Sequence, residues 1–208
     1  MKYHSPVADG SLAGGWRGRE FFLHTVLSGG KLHRFKKEVC PNCGALKRQR
    51  QLVRCLGDKA GSSVPVTARL LEIGPGRGEV EWFRQRGYIG VLTVDVRPGI
   101  AMSLMDVTRM AFRDGVFDAI VCSHVLEHVP EDMMAMKEIR RVLKPGGICV
   151  IQVPLQSDLP RTVEWGKPNR QEFDHVRAYG SDFRERLKAA GFVVACSDGE
   201  LFEAGKSG

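Results

Sequence analysis

The sequence predicts an α/β protein built on a doubly wound, mostly parallel sheet, and three observations carry that prediction. Between residues 66 and 197, apolar runs of strand length alternate with amphipathic segments of helix length. The first apolar run enters a glycine-rich turn, "LLEIGPGRGE" (70–79), that opens a helix. The second run ends on an acid, Asp95, about 20 residues further on.

Taken in order, "ARLLEIG" (68–74) is the first strand and "EVEWFRQRG" (79–87) a helix closed by glycine. "VLTVDV" (91–96) is the second strand. The connection "RPGIA" is too short for a helix, so "MSLMDV" (102–107) follows as a third strand. "VFDAIVCSH" (116–124) is the fourth. "EDMMAMKEIRRVL" (131–143) is a helix stopped by Lys-Pro-Gly-Gly, and "ICVIQVP" (148–154) the fifth strand. A polar stretch runs to Gly180, before the helix "DFRERLKAA" (182–190) and the strand "FVVACS" (192–197). Only "DGELFEAGKSG" remains after it, which predicts that the last strand of such a sheet is lacking or comes from a second copy of the chain.

Charge separates this region, 61–208, from an N-terminal extension, 1–60. The extension holds 12 Lys/Arg against 4 Asp/Glu, a balance of +8, whereas the remaining 19 and 20 give −1. A field of that sign suits nucleic acid, an anionic substrate or an acidic partner, and equally a solvated basic helix. Within the extension, "REFFLHTVL" (19–27) and "ALKRQRQLVRCL" (45–56) read as helices, and "GDKAGSSVP" (57–65) as the linker. No apolar run reaches the length of a membrane span, and the first residues lack the apolar core of a secretion signal. A cytoplasmic protein with mostly reduced cysteines is the expectation.

The glycine turn narrows the ligand. A dinucleotide fingerprint is G-x-G-x-x-G, with a pyrophosphate at the helix N-terminus. Here Gly74, Gly76 and Gly78 read G-x-G-x-G, with Glu72 before the loop and Glu79 opening the helix. Two acids there repel a pyrophosphate, although Arg77 pulls the other way. They suit a ligand bearing an ammonium, a sulfonium and a ribose, whose hydroxyls Asp95 would bind. S-adenosylmethionine is such a ligand.

On these motifs the chain resembles the class I S-adenosylmethionine-dependent methyltransferases, in particular the small-molecule group, over roughly residues 66–197. "LLEIGPGRGE", "TVDV", "LMDVTRMAF", "FDAIVCSHVLEHVPED" and "EIRRVLKPGGICVIQVP" follow one another in that family's order. The resemblance implies a Rossmann-like fold and a small-molecule methyl acceptor. It implies that Glu72, Gly74, Gly76, Gly78 and Asp95 bind the cofactor. Asp106, with Val107 beside it, falls at the position that meets the adenine amino group. Ser123 and His124 fall beside the methionine part, while Val125, Leu126 and Val129 read as core.

An oxygen or nitrogen acceptor also needs a proton acceptor. His124, Glu127 and His128 in "SHVLEH" are candidates, and His124 and His128, four apart, would share a helical face. The second candidate is His175 in "RTVEWGKPNRQEFDHVRAYG" (161–180), a stretch too long and polar for an ordinary connection. Asp174 would orient its imidazole, Trp165 would wall the acceptor pocket, and Arg170 and Arg177 would hold an anionic group. His124 and His175 are therefore the expected catalytic residues.

"CPNCG" (40–44) has the form of a zinc knuckle, with Cys40 and Cys43 as ligands. A structural zinc needs four, so Cys55, His33 or His24 would complete the set, or two chains would each donate a pair. Cys122, Cys149 and Cys196 lie in strands and read as small core residues. Three other functions compete. The basic extension would serve an RNA or protein methyltransferase, the short C-terminus a non-catalytic binding module, and the turn itself, less well, a nicotinamide oxidoreductase.

Overall fold

The computed structural model describes residues 46–56, 64–198 and 201–207. The chain divides into two compact units, Met1–Gln51 and Leu52–Gly208, and the second holds the sheet. The helix expected at 19–27, the knuckle residues Cys40 and Cys43, and most of the 57–65 linker lie outside the described residues. Among the described residues no helix is long and apolar enough to cross a membrane.

The elements follow the predicted alternation. Helix α1 (Lys47–Arg54) precedes β1 (Leu70–Ile73), α2 (Arg77–Gln85), β2 (Val91–Asp95) and the short β3 (Ser103–Leu104). Strand β4 (Phe117–Ser123) and a 3-10 turn, Leu126–His128, lead to α3 (Asp132–Val142) and β5 (Leu143–Gln152). The polar stretch follows, then α4 (Phe183–Ala189), β8 (Val193–Asp198) and β9 (Leu201–Gly205). Helix α3 ends before Lys-Pro-Gly-Gly, because Leu143 already pairs with Phe117 of β4.

One seven-stranded sheet has the order β3-β2-β1-β4-β5-β9-β8. The pairs from β3 to β5 are parallel, and β9 runs antiparallel to both β5 and β8. The predicted lack of a last strand is wrong. "LFEAG" is that strand, inserted with Gln152 opposite Leu201 and Ile148 opposite Gly205. The chain itself closes the sheet here, so the stated reason for a second copy at this edge disappears. Five residues with one charge give too weak a pattern alone, and only the ladder with β5 makes them a strand.

The polar stretch is not a bare loop either. It folds back as an antiparallel ribbon of β6 (Val163–Asn169) and β7 (His175–Ala178).

The sheet is covered on both faces, and the alternation of side chains decides which residue goes where. Leu70, Ala119, Val121, Val150 and Leu201 point to one face, where they pack with Leu52, Leu56 and Phe83. Their neighbours Leu71, Ile120, Cys122, Ile151 and Phe202 point to the other, against Met136, Ile139, Phe183 and Leu187 of α3 and α4. Cys122 and Cys149 are fully buried, as expected of small core residues, and burial pushes both thiols well above their ordinary range. The side chain of Cys196 lies outside the described ones.

Candidate active site

The parallel strands β1, β2, β4 and β5 all end at one edge, and the strand order reverses between β1 and β4. Ligands of open α/β sheets bind at such a switch point. Glu72 lies in β1, Asp95 and Ser123 end β2 and β4, and Gly74 and His124 follow β1 and β4 directly.

Gly74 leaves β1 with φ of +66° and donates its N–H to the Val94 carbonyl at 2.9 Å. A Cβ at this position would strike the Val125 side chain, so only glycine lets the turn pass. Gly74→Ala is expected to lower stability by at least about 1–2 kcal/mol, the cost of left-handed backbone for a side-chain-bearing residue. Urea unfolding reads it, and an unchanged midpoint would contradict this turn. Gly76 is extended, and a Cβ there would fall on the Glu79 carboxylate. Gly78 sits in the first turn of α2.

Glu72 is 2% exposed, and its Oε2 has no hydrogen-bond partner. Burial first, and then neighbouring Glu79, push its carboxyl up to about 9, against the lowering bond from the Gly76 N–H. A buried acid held proton-bound for want of a cation is what an ammonium-bearing ligand would meet.

Asp95 closes β2, where the Arg97 N–H donates to its Oδ1 at 2.7 Å and the guanidinium adds bonds of 3.0 and 2.9 Å. Burial raises this carboxyl, but the Arg97 bonds outweigh it and hold the group below the usual carboxylate range. Asp106 is exposed and accepts from the N–H and hydroxyl of Thr108, each at 2.8 Å, while Val107 is buried.

At the end of β4, Ser123 donates to Gln152 Oε1 at 3.0 Å, and the His124 N–H donates to the Gln152 carbonyl at 2.8 Å. Gln152 is fully buried with its Nε2 unpartnered. Sequence reasoning missed this residue; the signal was a polar side chain ending the apolar run of β5. His124 has φ of +54° and stands before the 3-10 turn, so it and His128 do not share the helical face that their spacing suggested. Its Nδ1 lies 3.1 Å from Glu127 Oε1, and its Nε2 is buried without a partner. Leu126 is core, with Val125 and Val129 packed against it, as expected.

His175 starts β7, and its ring lies 4.7 Å from that of His128, edge to face. The structure thus brings His124, Glu127, His128 and His175 into one cluster. Burial lowers the affinity of His175 for a proton; Glu127 opposes this, while His128 and His124 add to it. Asp174 is exposed, left-handed at φ of +61°, and donates its N–H to the Asn169 carbonyl. The ring neighbours of His175 are His128 and Phe173. Trp165 is half-buried on β6, and Arg170 is exposed.

Arg177 corrects the sequence reading. It is 2% exposed and donates to the carbonyls of Leu126, Val129 and Pro130 and to Glu164. Four of its five N–H groups are used to brace β7 on the loop after β4, and at 2% exposure the side chain is not presented to an anionic ligand. Tyr179 is likewise structural, its hydroxyl donating to Asp132 at 2.8 Å beside Arg186.

This strand order, with a glycine turn after β1 and an antiparallel β9, defines the class I methyltransferase fold. Residues 45–197 match the family model described as a methyltransferase domain, and the chain belongs to that family. It is 32% identical over 128 residues to a demethylmenaquinone methyltransferase of Renibacterium salmoninarum, covering 61% of this chain and 50% of that one. The chain spans half or less of the length of the first curated relatives it matches. The [4+2]-cyclase SpnF superposes with a TM-score of 0.56 at 26% identity, covering 71% of this chain and 59% of SpnF. A Burkholderia thailandensis 1,6-didemethyltoxoflavin N1-methyltransferase, solved with that substrate and S-adenosylhomocysteine, also gives 0.56, at 19% identity and coverage of 77% and 87%. That second likeness concerns the fold alone.

Proposed function

We propose that this chain is an S-adenosylmethionine-dependent methyltransferase whose acceptor is a small molecule. The observation that carries the reading is Glu72, a buried carboxyl with an unpartnered oxygen beside the left-handed Gly74 at the switch point. That pairing favours an ammonium-bearing adenosyl ligand over an anionic dinucleotide.

When bound, S-adenosylmethionine supplies a methyl group already activated on a sulfonium. The work left to the protein is to align the acceptor in line with it and exclude water. Glu72 would bind the ammonium. Asp95 would bind the ribose hydroxyls, with Arg97, mostly exposed, turning aside to free it. Asp106 and Val107 would meet the adenine, and Ser123 and His124 the methionine part. For an acceptor that must lose a proton, His124 and His175 are the acceptors nearest to hand, in a cluster braced by Arg177. The curated relative named for demethylmenaquinone supports a small-molecule acceptor.

Calorimetry should find one site for S-adenosylhomocysteine and none for NADH; NADH binding in its place would overturn the reading. Incubating cell extract with the protein and methyl-labelled cofactor should then move label into a small-molecule fraction. Fold alone does not choose the reaction, as the cyclase SpnF illustrates. Label in RNA or protein, lost on deleting residues 1–60, would instead favour the macromolecular acceptor, and cofactor binding without transfer the binding module.

A further inference from the structure

Beside the cofactor cradle, Glu127, His128 and His175 each offer a ligand atom, and these atoms all lie within 4.8 Å of one another. We propose that these three side chains form a site for one divalent ion of the zinc, cobalt or ferrous type, at the acceptor side of the cleft.

Three features support a built site. Glu127 is fully buried, and while its Oε1 meets His124 Nδ1 at 3.1 Å, its Oε2 has no partner. Leaving a buried carboxylate oxygen unsatisfied costs about 1–3 kcal/mol or more, a penalty that a bound cation removes. Second, the His124 bond orients that carboxylate, as outer partners of metal ligands commonly do. Third, the framework is fixed from both sides: Arg177, two residues after His175, is bonded to the carbonyls of Leu126, Val129 and Pro130 that flank His128. The two imidazoles therefore stay together without depending on each other.

Donor chemistry selects the ion. Two imidazoles and one carboxylate suit borderline transition metals, whereas Mg2+ and Ca2+ prefer oxygen ligands. Metal–ligand bonds of about 2.1 Å put ligand atoms about 3–3.5 Å apart, so closing the site takes only small rotations. His128 is exposed and free to make them. Three protein ligands leave positions open, which an oxygen of the acceptor would fill; an ion on His175 occupies its ring nitrogen, so with metal bound the proton acceptor is His124, whose Nε2 has no partner. This last step rests on the proposed methyl transfer; ion binding itself does not.

The test uses the full chain with Cys40→Ser and Cys43→Ser, so that the knuckle cannot supply thiolates, stripped by chelator and titrated with Co2+. One equivalent should bind, with a visible spectrum free of thiolate charge transfer. Glu127→Gln, His128→Ala and His175→Ala should each weaken Co2+ by at least about 10-fold, the lower bound for loss of even an outer partner. Failure of the parent to bind Co2+ would overturn the proposal. So would a His128→Ala/His175→Ala variant, folded by circular dichroism, that binds as tightly as the parent. S-adenosylhomocysteine titration without metal reports on the cradle separately, so either reading can fail while the other stands.

Discussion

Replacing Arg177 with methionine is expected to lower the unfolding free energy by about 3–5 kcal/mol, the range for breaking a buried charged network by removing one partner. The guanidinium donates to Leu126 and Pro130 carbonyls at 2.8 and 2.7 Å, to the Val129 carbonyl, and to Glu164 at 2.9 Å. It also lies 3.7 Å from Asp132, which is itself buried and already shared by Tyr179 and Arg186. Methionine fills the volume but removes four donated bonds from these acceptors, of which Leu126 keeps the Val129 N–H and Glu164 keeps Arg186. Arg177→Lys should fall between, since one ammonium cannot reproduce a planar fork. Arg170→Met, on an exposed turn nearby, should stay within about 0.5 kcal/mol. Urea unfolding measures all three, and a loss below about 1 kcal/mol for Arg177→Met would mean that the guanidinium is not the brace described.

The second large effect concerns Glu72, where stability and binding should move in opposite directions. Its carboxyl is pushed up to about 9 in the folded protein, mainly by burial, from an ordinary value of 4.5. Between those values the unfolded chain has released this proton and the folded chain has kept it. The stability associated with Glu72 is therefore full below pH 4.5 and falls as pH rises toward 9. Glutamine keeps the shape and does not titrate. Ligand-free Glu72→Gln should thus be more stable than the parent at pH 8, with a gap that closes toward pH 4.5 at no more than about 1.4 kcal/mol per unit. If Glu72 receives the ligand ammonium, the same change removes a charge-assisted bond and weakens S-adenosylhomocysteine by about 10- to 100-fold. Thermal melts across pH and calorimetry read the two effects. Unchanged affinity would remove Glu72 from the cradle, and a stability gap independent of pH would contradict its raised proton affinity.

The glycine turn and the strand ends proposed as the cradle were legible because their parts are local. Gly74 must be glycine to turn between a strand and a helix, and Glu72 and Asp95 stand in or at the end of apolar runs visible as strands. His124 and Ser123 follow in the same way from the end of β4. What stayed hidden depends on groups distant in the chain. Arg177 looks like an anion binder among the polar residues of 161–180, until the carbonyls after β4 are seen around it. Strand β9 looks like a tail until β5 and β8 flank it. Gln152 looks like one polar residue in a run, until the ends of β4 and β5 are side by side.

By itself the sequence determined the alternation of strands and helices, the glycine turn and the acids around it, because each of these is a choice made within a few residues by backbone sterics and the period of apolar side chains. Only the tertiary structure decided which of the polar residues are free to act. That depends on which buried donors and acceptors find partners across the sheet edge: Arg177 finds four and becomes scaffold, whereas Glu72 and Glu127 each keep an oxygen unsatisfied.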